Sequence, residues 1–100
     1  MAGGFYFRTH RHSKETIIAV CDEEVLGKTF AEGKLHITVN EGFYGGDLID
    51  EAELRSRFEA FTILNIAGNR AVDIAVEMGI IDRGAVLEIG GIRHAQAVTL

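Results

Sequence analysis

Cys21 is the single thiol of this 100-residue chain, and His94 is one of its four imidazoles. Together they could serve as a nucleophile and its base. That chemistry needs a thiolate, held by an imidazolium, a helix N-terminus or a nearby cation. Instead Asp22, Glu23 and Glu24 directly follow Cys21, and carboxylates favour the neutral thiol. A small residue closing a core strand is therefore the expected role of Cys21. His10 and His12 lie two residues apart and share a face if the segment is extended. With His36, His94 or Asp22 they could build a metal site, which needs three or more converging ligands and outer partners. Spacing supplies only the first pair, as a solvated hairpin tip also would, and no metal is expected. Gly27-Lys28-Thr29 has the ending of a phosphate-binding loop, but Asp22 stands where that loop needs its first glycine. Gly90-Gly91 lacks the spacing of a dinucleotide fingerprint.

Three further segments could shape a ligand site. Phe43-Tyr44, followed by Gly45-Gly46, could present an aromatic platform with close backbone approach. Packing of both rings in the core, with the glycines reversing the chain, is the expected alternative. Asn65 interrupts the apolar run Ile63-Leu64-Asn65-Ile66, and a buried amide must find partners. It is either a structural latch, the expected role, or a pocket-lining group. His94-Ala95-Gln96 after the double glycine either lines a site or satisfies local backbone. A pocket formed by Cys21, Asp22, Asn65 and His94, with Gln96 nearby and walls of Phe43 and Tyr44, is the small-molecule or enzymatic alternative.

The elements that must position these residues follow from periodicity. Phe5–Thr9 reads as a strand, His12-Ser13-Lys14 as a turn, and Glu15–Cys21 as a central strand covered on both faces. Asp22-Glu23-Glu24 is expected to face water or open a short helical turn. Gly27 and Gly33 bracket an irregular stretch. Leu35, Ile37 and Val39 alternate with polar residues, the pattern of a half-buried strand. Asp50 and Glu53 have capping-box spacing. From there Leu54, Phe58 and Phe61 form one helical stripe, with Arg55, Arg57 and Glu59 on the other side. Asn69 is placed to cap a second helix over Arg70–Met78, ended by Gly79. Val86–Ile89 and Ala95–Leu100 read as strands around Gly90-Gly91. Strands, then helices, then strands predict one α+β domain over residues 1–100: two layers, a mainly antiparallel sheet with helices on one face.

Composition limits the partners. Apolar residues make up 47% and charged residues 25%, enough apolar content to form a core. One cysteine leaves no internal disulfide and suits a reducing cytoplasm. There is no apolar run long enough to span a bilayer, so no membrane is expected. Net charge is −5, yet residues 1–14 carry +3 through Arg8, Arg11 and Lys14, leaving −8 for the remainder. A general nucleic-acid binder shows a broad basic footprint; here only the first hairpin offers one. The leading expectation is a non-catalytic binding module, contacting RNA or ribonucleoprotein through Arg8, Arg11 and Lys14. A homodimer through exposed sheet edges, including the strand ending at Leu100, is a third reading.

The chain resembles an archaeal family, domain of unknown function 424. The likeness is carried by Ala19–Phe30, by Phe43-Tyr44-Gly45-Gly46, and by Asn65, Gly68, Ala71 and Val72 in the helical region. Gly90-Gly91-Ile92 and His94-Ala95-Gln96 extend it. The family pattern has proline before that histidine where this chain has Arg93, which would loosen the backbone there. The resemblance implies an archaeal cytosolic protein with a two-layer α+β fold. It implies no reaction, cofactor or catalytic residue.

Overall fold

A computed structural model describes residues 3–58 and 60–99. Glu59 and Leu100, placed above on a helix face and at a strand end, lie outside the described residues. The fold is α+β around a mostly antiparallel sheet. Strand β1 (Phe5–His12) turns at Ser13, which takes a left-handed φ of 57°, and returns as β2 (Glu15–Asp22). A one-turn 3₁₀ segment, Glu23–Val25, leads to the hairpin β3 (Thr29–Glu32) and β4 (Leu35–Thr38). Helix α1 (Glu41–Tyr44), strand β5 (Asp47–Ile49) and helix α2 (Glu51–Arg57) follow, then β6 (Ile63–Ala67) and α3 (Asn69–Glu77). Strands β7 (Leu87–Ile89) and β8 (Ile92–Val98) close the chain.

Six strands form the main sheet in the order β5-β1-β2-β6-β8-β7, while β3 and β4 pair separately. Every pairing is antiparallel except β2 with β6, which run parallel from Ile17 opposite Ile63 to Cys21 opposite Ala67. The Thr62 hydroxyl locks one end of this pairing: it accepts from Thr16 N–H at 2.8 Å and donates to Thr16 O at 3.1 Å.

Alternation along each strand divides the core in two. Phe5, Phe7, Ile18, Val20, Leu64, Ile66 and Ala95 face α2 and α3, against Leu54, Phe58, Ala71, Val72 and Ala75. Ala19, Cys21, Ala67 and Ile92 face the other way, beneath Val25, Val39 and Tyr44 with Leu26, Phe30 and Ile37. The first is the helix face and the second the hairpin face. As the apolar run of Glu15–Cys21 implied, β2 is central and buried from Ile18 to Asp22.

Several expectations change. Asp22 does not face water; it is 3% exposed, and only Glu23 and Glu24 of the acidic trio are solvated. Helix α2 ends at Arg57, so Phe58 reaches the core from the C-cap and Phe61 from the following connection. The residues 63–67 form the central strand β6, which moves Asn65 out of the helical region. Asn69 does not cap α3: its amide accepts from Arg93 N–H at 2.8 Å and donates to Gly91 O at 3.2 Å. These bonds also hold position 93, whose guanidinium reaches Asp73 at 2.7 Å, so the backbone before His94 is anchored rather than loosened. The expected cap of α2 is present, with Glu53 N–H donating to Asp50 at 2.9 Å. Glu53 itself turns to Arg57 at 2.7 Å instead of closing the box.

Candidate functional site

Strand parity decides which candidate residues meet. Cys21 lies opposite Ala67, Ala67 opposite His94, and Asn65 opposite Gln96. Residues directly opposite share a face, so Cys21, Asn65, His94 and Gln96 all occupy the hairpin face. Phe43 and Tyr44 of α1 pack over the same face. Asp22 is one residue past Cys21 and points to the helix face. Six of the seven candidate side chains therefore share a surface, and Asp22 is separated from them by the sheet.

Cys21 and His94 are two strands apart, about 9–10 Å at the usual strand spacing, with Ala67 between them. Burial, and then the Asp22 charge, push the Cys21 thiol up to about 12, so it is protonated and a poor nucleophile. Burial holds His94 below the ordinary imidazole value. Neutral thiol and neutral imidazole are the favoured forms, the reverse of a thiolate–imidazolium pair. Among the described residues no group of three His, Cys, Asp or Glu side chains is placed to hold a metal.

Asp22 has a structural task. Helix α3 starts from Gly68, which has no side chain to offer the first N–H groups. The Asp22 carboxylate supplies the acceptor from the end of the neighbouring strand β2, taking Arg70 N–H at 3.0 Å and Ala71 N–H at 2.8 Å. A Cβ on Gly68 would overlap that carboxylate, and Gly68 adopts φ 122°, so only glycine admits the approach. Burial raises the Asp22 pKa, opposed by the two backbone N–H bonds and by Arg70. Arg70, not singled out from sequence, joins this corner: it donates to Glu24 at 2.6 Å and to Gly3 and Gly4 carbonyls at 2.9 and 3.1 Å. Its guanidinium also lies 4.6 Å over the Phe5 ring.

The aromatic pair divides. Tyr44 is buried beside Cys21, and burial pushes its phenol up to about 12. Phe43 is half-buried, and the His10 ring stacks on it at 4.9 Å with a 10° interplanar angle. His10 Nε2 is 2.8 Å from Phe43 O, and Arg8 donates to Gly45 O at 2.9 Å. Gly46 is needed for close approach, since a Cβ there would strike the Phe7 carbonyl.

Arg8 and Arg11 project from opposite faces of β1, and Lys14 sits in the turn. Arg55, Arg57, Arg70 and Arg93 all form carboxylate pairs, whereas Arg8, Arg11 and Lys14 form none among the described residues, nor do Lys28, Lys34 and Arg83. Arg11 also lines a shallow cavity of about 280 Å³ with Thr9, Thr16, Ser56 and Arg57, over Phe7 and Ile18. No helix of the described residues is long and apolar enough to cross a membrane.

The crystal structure of an uncharacterized conserved protein from Methanopyrus kandleri has the same fold: TM-score 0.77, 23% sequence identity, covering 97% of this chain and 92% of that one. No curated protein matches the sequence. The profile of the family described as "Protein of unknown function (DUF424)" matches residues 10–100, and the chain belongs to that family.

Proposed function

We propose that the chain is a non-catalytic binding module that contacts RNA, within RNA–protein machinery such as that of translation, through its β1–β2 hairpin. The observation that carries this reading is the partition of the cations. Four arginines are matched by carboxylates; of the six cations unmatched among the described residues, Arg8, Arg11 and Lys14 share one hairpin, while Lys28, Lys34 and Arg83 lie apart from it. Unmatched cations are those with charge available to phosphate, and their desolvation breaks no existing ion pair. β5 covers β1 only from Phe5 to Phe7, so the strand from Arg8 onward presents an open edge. The stacked His10 and Phe43 rings beside Arg8 add a π surface suited to an unstacked base. The −8 carried by the rest of the chain restricts such contact to this end. The enzymatic alternative draws no support from Cys21, whose thiol is buried and protonated.

The test is fluorescence anisotropy with a labelled hairpin RNA between 50 and 200 mM salt. Three phosphate contacts give a log–log slope of about −2.1 to −2.7, a roughly 20- to 40-fold loss of affinity over that range. Changing Arg8, Arg11 and Lys14 together to alanine should weaken binding and flatten the slope. Equal affinity and slope for the triple variant would overturn the assignment.

A further inference from the structure

We infer that the outer edge of β8 is a self-association surface, at which a second copy of this chain adds its own β8 antiparallel to the first. The inference is independent of RNA contact. In an antiparallel strand, alternate residues direct both backbone groups to the same side. Arg93 O accepts from Gly68 N–H at 2.9 Å, and Thr99 N–H donates to Thr62 O at 2.8 Å. The odd-numbered residues of β8 therefore turn their backbone groups toward β6. The even-numbered residues turn theirs outward, where Ile92 and His94 meet Ile89 and Leu87 of β7. β7 ends there. Beyond it the N–H and C=O groups of Gln96 and Val98 have no backbone or side-chain partner among the described residues.

Edges of this kind template pairing unless a protein blunts them with charge, proline or cover. The opposite side of the sheet is blunted: β1 bears Arg8, Arg11 and flanking histidines, and Arg8 and His10 are engaged by the α1 segment. Ala95-Gln96-Ala97-Val98-Thr99 has neither charge nor proline. Val98 is 62% exposed and Leu87 60%, and both lie on the hairpin face.

The segment is complementary to itself. With a two-fold axis at Ala97, Gln96 of each copy faces Val98 of the other as a hydrogen-bonded pair. All four outward groups of each copy are then used, giving four backbone hydrogen bonds across the seam. Ala97 meets its own counterpart at the close, non-bonded position, which its small side chain suits. Val98 comes beside Gln96 on the hairpin face, near Leu87. No like charges oppose one another within the paired segment, which favours a second copy over a charged partner strand. At one hydrogen bond per 100–200 Å², four bonds correspond to roughly 400–800 Å². That is below the roughly 1,200 Å² of a stable complex, so the dimer is a transient one.

Sedimentation velocity of the full chain from 10 µM to 1 mM tests this. Concentration-dependent dimerisation is expected, unchanged or strengthened when salt rises, since each copy carries −5. Val98→Pro removes an outward N–H without breaking a bond to β6 and should weaken association at least 10-fold. Val98→Lys brings charge to the seam and should do the same while leaving the exposed position otherwise intact. Gln96 and Val98 amides should gain hydrogen-exchange protection only at high concentration. A monomer throughout, or a dimer unaffected by both variants, overturns the inference. The Arg8, Arg11 and Lys14 triple variant should dimerise normally, and Val98→Lys should retain RNA binding, so each reading fails separately.

Discussion

Removing the Asp22 carboxylate should unfasten α3 from the end of β2. The carboxylate accepts two backbone N–H bonds, at 3.0 and 2.8 Å, at the start of a helix whose own N-cap is glycine. Hydrogen bonds to charged groups contribute about 1.5–3 kcal/mol each. The cost of burying a carboxylate offsets part of that sum, because Asp22→Ala also removes a group whose charged form burial disfavours. A net loss of about 3 kcal/mol is expected for Asp22→Ala, and about half of that for Asp22→Asn, which keeps one acceptor. For a domain of this size each kcal/mol moves Tm by about 4–8 °C. Thermal unfolding followed by far-ultraviolet circular dichroism should therefore place Asp22→Ala at least 12 °C below wild type. Gly68→Ala sharpens the test. Its Cβ would overlap Asp22 and its φ of 122° is strained for alanine, so it is destabilising alone. In the Asp22→Ala background the overlap is gone and only the strain of about 1–3 kcal/mol remains. The double variant must then be more stable than the sum of the single effects predicts. A shift below 3 °C for Asp22→Ala, or strict additivity with Gly68→Ala, refutes the reasoning.

Two further outcomes follow from the hairpin face. Burial holds the His94 pKa below its unfolded value of 6.5, so its contribution to stability is present above pH 6.5 and is lost as pH falls through the depressed folded value. The drop in Tm between pH 7.5 and 5.5 should be smaller in His94→Gln than in wild type; equal drops would show that His94 does not carry it. Cys21 is fully buried with its thiol pushed up to about 12, so native protein at pH 8 should resist iodoacetamide for hours and react within minutes in denaturant. Rapid native labelling would contradict that environment.

The strands with clear alternation or flanking turns were legible from sequence, as were α2, α3 and the Gly90-Gly91 reversal. β6 was not. Four apolar residues interrupted by Asn65, between two helical patterns, satisfy strand and buried-helix periodicity equally. Its parallel partner, β2, lies more than forty residues back, and no local signal reports such a pairing. The acidic trio misled for a related reason: composition places Asp22 in water, and only the tertiary position of an uncapped helix start draws it inside. For the candidate site, parity made Cys21 and Asp22 diverge by simple alternation. The shared face of Asn65, His94 and Gln96 required knowing that β6 lies between β2 and β8.

The parallel seam between β2 and β6 has a consequence for how the molecule is assembled. β5, β1 and β2 all come from the chain before Ala60, and β6, β8 and β7 all come after it. The sheet is thus two three-stranded halves, each contiguous in sequence, joined along five facing positions and the Thr16–Thr62 clasp. Each half alone would expose an Ile-, Val- or Leu-rich strand with an open edge, a hazard for association with the wrong partner. The connection through the exposed Ala60 keeps the two halves at high effective concentration, so their meeting is a folding step and not a bimolecular encounter. Cleavage at that loop should convert it into one, with the recovery of native circular dichroism becoming dependent on fragment concentration. Recovery independent of concentration would show that the halves do not rely on the link to find each other.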